Sequence, residues 1–197
     1  MAVPSPSSAP SDKAALRAEG LTRRKRAAAA LEADTRRSLE VALAERLLPH
    51  ILTARVIAAY HPLKDEISPY PLLERLTDGQ QAALPWFPAR DARMIWRAAP
   101  AVEPSPWGVL QPSPDAPALR PDLVLVPFVL ADRRGTRIGH GKGHYDRALS
   151  HLREGGEVVT IGIGWDEQLV DFDLPRDPWD MPLHAVATPR EWVQCAA

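Results

Sequence analysis

The sequence predicts an α/β protein in which a central, mostly parallel sheet is covered by helices on both faces. Three observations predict this fold class. Short apolar runs of strand length alternate along the chain with segments of helical composition. The segment Asp122–Val126 is apolar almost throughout, as in a strand buried on both faces. The chain has 197 residues, of which 45% are hydrophobic, and this suits a single domain with an ordinary core.

Two helices are predicted near the N-terminus. Residues 1–11 lack the apolar stretch of a signal peptide and are expected to form a disordered tail, so that the α/β domain covers 12–197. Segments 12–30 and 35–48 are rich in Ala, Leu, Arg and Glu, with Ser11 or Asp12 as a cap and Pro49 as a stop. The second helix carries one apolar stripe, which should pack on the sheet. The stripe consists of Leu39, Leu43 and Leu47.

A strand, a short helix and a second strand are predicted next. The two strands are Arg55–Tyr60 and Ala82–Leu84, which stops before Pro85. The helix between them begins with proline in its first turn and should end at Gly79 as a C-cap. Residues 100–121 contain seven prolines, and this density predicts a long loop without regular structure.

The C-terminal half completes the predicted sheet. Strand Asp122–Val126 precedes a glycine-rich turn and a helix at about 143–153. The apolar runs Val158–Ile161 and His184–Thr188 predict two further strands. Strands that alternate with helices in this way favour parallel pairing with right-handed crossovers.

Composition excludes several classes of function. The formal net charge of −1 gives no overall field for nucleic acid or anionic lipid, and no segment approaches the ~20 apolar residues of a membrane span. Cys195 is the only cysteine, so neither an internal disulfide nor a cysteine-rich metal site is possible. We therefore expect a cytoplasmic protein with no nucleic acid or membrane partner. We also expect it to be a monomer.

The segment RIGHGKGHYDRAL, residues 137–149, contains the strongest candidate site. Its three glycines at 139, 141 and 143 would let backbone N–H groups face an anion, and the following helix adds the positive end of its dipole. Lys142 would be a mobile countercharge. The pattern is neither a Walker loop nor GxGxxG, and a plain glycine-rich turn is the alternative.

Further charged residues, within this segment and near the N-terminus, extend this prediction. Asp146 follows Lys142 by one helical turn and is a candidate Mg²⁺ ligand, although an acid also suits the first turn of any helix. Lys13 and Arg17 share one helix face and either reach for an anionic ligand or lie in solvent. The basic run 23–26 spreads around its helix and is expected to form a solvated face.

Two residues are candidates for contact with a planar ring. Glu66 follows a strand end, where a carboxylate can accept hydrogen bonds from a heterocycle, or it is simply a loop acid. Trp107 lies in the proline-rich loop and either stacks on a ring or pins the loop to the core. The six histidines have no metal-ligand spacing.

Several motifs in order resemble the 5-formyltetrahydrofolate cyclo-ligase family. The segment PDLVLVPFVLADRRGTRIGHGKGHYDRAL is similar to the family signature of an apolar strand followed by GxGxGxYD. Over nearly the whole chain, KAALR, RVIAAYHPLKDEIS, SPWGVLQP and IGIGWDEQLVDFDLPRDPWDMPLHAVAT resemble further family blocks. The resemblance implies conversion of 5-formyltetrahydrofolate to 5,10-methenyltetrahydrofolate with ATP and Mg²⁺, and release of ADP and phosphate.

The resemblance also implies roles for individual residues. Lys13 and Arg17 would contact the ATP phosphates, Glu66 and Trp107 would bind the folate, and Asp146 would bind Mg²⁺. One loop would cradle ATP and touch the formyl group, with Arg137, Lys142 and Tyr145 taking part in catalysis. That loop comprises Arg137, Ile138, Gly139, His140, Gly141, Lys142, Gly143, His144 and Tyr145.

Two positions depart from the family pattern. His144 stands where the family commonly has the first of two tyrosines, and His184 stands where a second magnesium-linked aspartate is usual. His184 is nevertheless a candidate metal residue by this correspondence, although histidine suits Mg²⁺ poorly because this hard ion prefers oxygen. Either water and phosphate hold the ion there, or another acid such as Asp180 helps, or the metal preference has changed. Alternatives are a relative that binds folate, nucleotide or RNA without turnover, and a sugar-phosphate isomerase or transferase that needs no ATP.

Overall fold

The computed structural model describes residues 12–195 and confirms the predicted α/β class. The predicted tail at 1–11 lies outside the described residues. No helix within residues 12–195 combines the length and the apolar character that crossing a membrane requires. The four α-helices are α1 (Lys13–Ala29), α2 (Ala33–Leu47), α3 (Tyr70–Leu73) and α4 (His144–Glu154). The strands are β1 (Val56–Ala58), β2 (Gln81–Trp86), β3 (Ile95–Ala98), β4 (Glu103–Pro104), β5 (Leu110–Gln111), β6 (Ala118–Leu119), β7 (Leu123–Pro127), β8 (Leu130–Asp132), β9 (Arg137–Ile138), β10 (Val159–Ile163), β11 (Leu169–Val170), β12 (Ala185–Ala187) and β13 (Trp192–Gln194).

Eight strands form the main sheet in the order β13-β12-β10-β7-β1-β2-β3-β6. The five central strands, from β12 to β2, run parallel to one another. The strands β13, β3 and β6 add antiparallel edges. Parallel strands place their carboxyl ends along one edge of the sheet, and loops that follow them converge there.

Each face of the sheet carries a helix. Because side chains alternate along a strand, Leu123 and Leu125 of β7 contact the layer of α2, which contributes Leu43 and Leu47. Val124 and Val126 face the opposite layer, which contains the apolar side of α4. The predicted stripe of α2 therefore packs on the sheet, with Leu39 at its margin.

Helix α1 lies instead on a small sheet of β11, β8 and β9. Its approach is close, because a Cβ built on Gly20 would lie 2.6 Å from Leu130 Cγ and 2.7 Å from Val129 Cγ1. Asp12 caps the helix by accepting a hydrogen bond of 2.8 Å from Ala14 N–H. The contact brings the N-terminal half of α1 beside the segment that follows β9.

Three local predictions are wrong. β2 does not stop before Pro85. Its neighbour β1 pairs only with Gln81–Ala83, so the N–H group that Pro85 lacks is not needed for pairing with β1. Helix α3 ends at Leu73 with Glu74 as its C-cap rather than continuing to Gly79. The proline-rich segment 100–121 contains β4, β5 and β6, and its prolines are compatible with short, edge-type pairing.

Candidate active site

A cavity of about 1420 Å³ opens at the carboxyl ends of β1, β2 and β7. Residues that follow these strands line it, including His61 after β1 and Phe87 after β2. The start of α1 and the segment 177–181 form further parts of its wall. Ligand sites in α/β sheets occupy this position, since loops from several strands meet there.

The glycine segment forms one wall of this cavity. It does not directly follow the buried strand β7, as the sequence suggested, because the hairpin β8–β9 intervenes. Gly141 has φ +84° and Gly143 has φ +63°, whereas Lys142 between them has no positive φ. Such alternation turns successive N–H groups toward one side, as in an anion-binding nest.

The backbone amides of this wall are free to bind a ligand. No N–H group of residues 139–146 donates a hydrogen bond to another group within residues 12–195. Gly143 is the N-cap of α4, and it supplies no side chain to cap the helix. The positive end of the helix dipole and the unpaired donors therefore face the same cavity, which favours a phosphate group.

Arg17 supports the glycine segment from α1. Its Nε donates a hydrogen bond of 2.8 Å to the carbonyl oxygen of Gly139. A Cβ on Gly141 would lie 3.1 Å from Arg17 Cζ, so both its backbone conformation and this approach require glycine. Gly139 differs, because its φ is not positive and a Cβ there would meet no atom within 4 Å. Within residues 12–195, therefore, protein contacts require glycine at 141 but not at 139.

Arg137 and Asp146 form an ion pair across the base of the loop. Arg137 Nη2 lies 2.6 Å from Asp146 Oδ1, and its Nη1 donates to the carbonyl oxygen of Met181. The N–H of Met181 also donates to Asp146 Oδ1, at 3.2 Å. The second carboxylate oxygen, Oδ2, has no partner within residues 12–195 and belongs to a cavity-lining side chain. Asp146 can therefore offer one oxygen to a hard cation.

Lys13 is paired with two acids from the segment 177–181. Its Nζ lies 2.5 Å from both Asp177 Oδ2 and Asp180 Oδ2. Partial burial acts to lower the pKa of Lys13, but the hydrogen bonds to the two carboxylates outweigh it and the pKa is raised. All three side chains line the cavity. The pairing of Lys13 shows that its predicted solvated alternative is wrong.

An aromatic cluster of Phe87, Trp107 and His144 closes another side of the cavity. The ring centroids of Trp107 and His144 are 5.3 Å apart, and those of Phe87 and His144 are 5.0 Å apart. His144 Nδ1 lies 3.2 Å from the guanidinium of Arg147, which can only donate, so the neutral ring carries its proton on Nε2. Burial lowers the pKa of His144, and the charges of Arg147 and Lys142 lower it further.

Two nitrogen atoms of this cluster lack partners. Trp107 Nε1 and His144 Nε2 are buried and form no hydrogen bond within residues 12–195. Lys142 lies above the same cluster, with Nζ 6.0 Å from the centroid of the Trp107 ring, and its side chain is exposed. Unpaired buried donors are costly, and a ligand in the cavity is one way to satisfy them.

Glu66 is a buried carboxylate of the cavity wall. Its Oε1 lies 3.0 Å from Arg24 Nη1, and its Oε2 accepts a 2.9 Å hydrogen bond from the N–H of Leu63. Arg24 is itself only 2% exposed, so the prediction that the basic run 23–26 is a solvated face is wrong for this residue. His140 Nε2 lies 3.4 Å from Glu66 Oε1.

The charge of Glu66 affects two neighbouring phenols. Burial raises the pKa of Tyr145, and the Glu66 carboxylate raises it further, while Arg137 opposes the shift. Tyr60 behaves in the same way, since burial and then Glu66 raise its pKa. Both tyrosines line the cavity and remain neutral phenols. Tyr145 can therefore donate a hydrogen bond but does not serve as an anionic base near neutral pH.

His184 lies outside this arrangement. It immediately precedes β12, and its Nδ1 lies 2.8 Å from Thr160 Oγ1 and 3.0 Å from Thr160 N at the start of β10. The residue does not line the cavity. Burial lowers its pKa, with Arg153 near the end of α4 as the next cause. The structure therefore does not bring His184 to Asp146, and its bonds to Thr160 explain its position.

Most predicted site residues meet at the cavity, and the additional ones carry weak sequence signals. Arg24 follows Lys13 and Arg17 at helical spacing on the same face of α1, which would have revealed it. Asp177 and Asp180 lie in a segment without regular structure, where no periodicity marks them. No group of three or more His, Cys, Asp and Glu residues within 12–195 could hold a metal by itself. A cation here would need ligand oxygens as well as Asp146, a common arrangement for Mg²⁺.

Comparison with known proteins agrees with this geometry. The model of the 5-formyltetrahydrofolate cyclo-ligase family matches residues 9–189. The 5-formyltetrahydrofolate cyclo-ligase of Mycolicibacterium smegmatis is 30% identical over 158 residues, which cover 72% of this chain and 77% of the relative. The enzyme of that name from Escherichia coli K12 is 30% identical over 156 residues, covering 73% and 85%.

A solved structure gives the same answer for the fold. The NMR structure of Aquifex aeolicus 5,10-methenyltetrahydrofolate synthetase is 25% identical, and the match covers 94% of this chain and 93% of the other with a TM-score of 0.77. The family model spans most of the chain, and the relatives carry ligase names. The chain therefore belongs to the 5-formyltetrahydrofolate cyclo-ligase family, as its motifs predicted.

Proposed function

We propose that this chain converts 5-formyltetrahydrofolate to 5,10-methenyltetrahydrofolate in a reaction that consumes ATP and requires Mg²⁺. The observation that carries the proposal is the wall of unpaired amides at residues 139–146, which shares one cavity with the buried carboxylate Glu66. The amides suit a phosphate group and the carboxylate suits a heterocycle with N–H donors. One cavity thus has complementary groups for both substrates. We further propose that the enzyme is a cytoplasmic monomer.

The nucleotide end of the cavity lies between α1 and the glycine segment. The unpaired amides of residues 139–146 would bind phosphate oxygens, and Lys142 would neutralise charge on the transferring phosphoryl group. Arg17 holds the segment through the carbonyl oxygen of Gly139. The other N–H donors of its guanidinium would bind the nucleotide in the same cavity. Lys13 would exchange its bonds with Asp177 and Asp180 for phosphate oxygens when the nucleotide binds.

The folate end lies between Glu66 and the aromatic cluster. Glu66 Oε2 accepts one hydrogen bond, from Leu63 N–H, and keeps a lone pair for an N–H donor of the pterin-like ring. Oε1 accepts from Arg24 and also lies 3.4 Å from His140 Nε2. Trp107 offers an apolar face, and the Nε2–H of His144 offers a donor in place of the usual tyrosine hydroxyl. His140 lies between the two ends of the cavity, beside Glu66 and within the wall of unpaired amides at residues 139–146.

The residues of the cavity position two reactants for two successive displacements. The formyl oxygen takes the γ-phosphoryl group, and ADP leaves. N10 of the folate then attacks the activated formyl carbon and loses its proton. The carbon–oxygen bond breaks, and the former formyl oxygen departs with the phosphate, which takes up that proton. An amide oxygen is a poor leaving group until it is phosphorylated, which explains the need for ATP. Since no side chain becomes covalently bound, the protein contributes positioning and charge.

Mg²⁺ fits the free oxygen of Asp146 together with phosphate oxygens, because this ion prefers oxygen ligands and is often held by one or two carboxylates and substrate phosphates. When bound, the ion supplies positive charge near the transferring phosphoryl group. Arg137 orients Asp146 through the ion pair to its Oδ1.

Product formation with and without each reactant tests the proposal. Purified protein is incubated with 5-formyltetrahydrofolate, and the folate product and ADP are separated by chromatography. We expect one ADP for each methenyltetrahydrofolate, and no product when ATP or Mg²⁺ is omitted. ATP-independent product would overturn the proposed chemistry. Binding of folate or ATP by folded protein without any turnover would indicate that only a binding module remains.

A further inference from the structure

A buried arginine of α1 is connected to the folate end of the cavity. Arg24 lies eleven residues beyond Lys13 and points inward, with 2% of its side chain exposed. Burying a guanidinium is costly unless carboxylates compensate it. Two do so here, and both come from the loop that follows β1: Asp65 and Glu66.

The hydrogen bonds of Arg24 fix its orientation. Nε lies 3.1 Å from Asp65 Oδ2 and Nη2 lies 3.3 Å from Asp65 Oδ1, so Asp65 engages one edge of the guanidinium. The remaining nitrogen, Nη1, lies 3.0 Å from Glu66 Oε1. A planar guanidinium held at one edge presents its other donor in a defined direction, which a lysine cannot reproduce.

Glu66 in turn has little freedom. Leu63 N–H holds its Oε2 at 2.9 Å, and only 7% of its side chain is exposed. Without Arg24 the carboxylate would be a buried negative charge with one backbone donor. A buried carboxylate without a compensating partner is costly, so its oxygens would no longer be held in the position in which they face the cavity.

We infer that Arg24 is a positioning residue for the folate substrate: it holds the Glu66 carboxylate aimed into the cavity, with Asp65 fixing the guanidinium. The inference rests on the proposed role of Glu66 in folate binding. Arg24 acts through Glu66. Within residues 12–195, its only contacts with the wall of unpaired amides are the approaches of Nη1 and Nη2 to His140 Nε2, at 3.4 and 3.5 Å. Its removal should therefore affect folate far more than ATP.

A second arginine provides a matched control. Arg36 of α2 holds the same loop, but its Nη1 and Nη2 donate only to the backbone oxygens of Lys64, at 2.9 Å, and Glu66, at 2.7 Å. It makes no contact with the Glu66 carboxylate. If loop support were the whole effect of Arg24, then Arg24→Lys and Arg36→Lys would behave alike.

The test measures KM for each substrate, together with the dissociation constant of folate without ATP. Arg24→Lys should raise both folate constants about tenfold or more, because a positioned charged hydrogen bond is lost. The KM for ATP should stay within about twofold of the original value, and Arg36→Lys should leave the folate constants within the same range. In a Glu66→Gln background, Arg24→Lys should add no further change to folate binding.

Equal effects of the two arginine variants, or an undiminished effect of Arg24→Lys in the Glu66→Gln background, would overturn the inference. If Arg24→Lys does not fold, Asp65→Asn tests the same arrangement, since it loosens the guanidinium without removing it. That variant should raise the folate constants and leave the KM for ATP unchanged, and an unchanged folate affinity would contradict the role. Failure of the unmodified protein to turn over would reject the proposed function instead, and the affinity measurements would still decide the role of Arg24.

Discussion

Replacement of Lys142 by alanine should lower the activity strongly and the stability only slightly. The side chain is exposed and forms no ion pair within residues 12–195, and its Nζ lies 6.0 Å from the centroid of the Trp107 ring. An exposed cation over an aromatic ring contributes about 0.5–1 kcal/mol, so the free energy of unfolding should fall by no more than this. The fold of the loop depends on Gly141, Gly143 and Arg17 rather than on Lys142.

The expected loss of activity is much larger. Removing a group that neutralises transition-state charge costs about 10²-fold or more in kcat/KM, which corresponds to about 2.7 kcal/mol. Steady-state kinetics with both substrates and chemical denaturation of the same preparation measure the two quantities. Lys25→Ala is the matched control, because Lys25 is an exposed lysine of α1 that does not line the cavity. Near-normal kinetics of Lys142→Ala would remove the lysine from the mechanism, and a parallel loss of stability would show that its role is structural.

The other predictions concern the metal, the packing of α1 and the single cysteine. Asp146→Asn should raise the Mg²⁺ concentration needed for half-maximal activity, since it removes a charged oxygen ligand, and an unchanged magnesium titration would count against its metal role. His184→Asn should leave that titration unchanged, because His184 is bonded to Thr160 outside the cavity; a clear shift would restore the residue to the metal site. Gly20→Ala gains up to about 1 kcal/mol of helix propensity but places a Cβ 2.6 Å from Leu130 Cγ. The overpacking costs about 1–3 kcal/mol, so the variant should unfold at a lower urea concentration. Gly79→Ala, whose Cβ would meet no atom within 4 Å, should change stability by less than about 0.5 kcal/mol, and equal effects of the two substitutions would refute the packing argument. Burial raises the pKa of Cys195 to about 11, so its thiol should react slowly with a thiol-specific reagent at pH 8 in the native protein and rapidly in denaturant; equal rates would contradict its burial.

Periodicity and turn chemistry predicted the parts of the fold that depend on neighbouring residues. The spacing of Leu43 and Leu47 identified the face of α2 that packs on the sheet, and the apolar run of β7 identified a strand buried on both faces. The antiparallel edge strands β3 and β6 were not predicted. Their pairing is set by contacts across the sheet, and β6 is also concealed by the proline-rich sequence around it.

The sequence predicted those residues of the candidate site that lie together in one motif. It missed the residues whose positions depend on tertiary contacts. The glycine spacing located the wall of unpaired amides at residues 139–146, and helical spacing placed Lys13 and Arg17 on one face. The partners of Lys13 in the segment 177–181 lie more than 160 positions away, and the burial of Arg24 depends on a loop about 40 positions away. Single-sequence patterns do not contain such pairings. His184 illustrates the converse, since a motif position suggested a role that local bonding to Thr160 does not support.

The fate of the formyl oxygen tests the central proposal most directly. The substrate is prepared with ¹⁸O in the formyl group, incubated with the protein, ATP and Mg²⁺, and the released phosphate is analysed by mass spectrometry. Transfer of the γ-phosphoryl group to the formyl oxygen predicts one ¹⁸O atom in each phosphate released with product. Unlabelled phosphate, with the ¹⁸O recovered in water, would mean that ATP hydrolysis and ring closure are separate events. That result would contradict the transfer of a phosphoryl group between two substrates bound in one cavity.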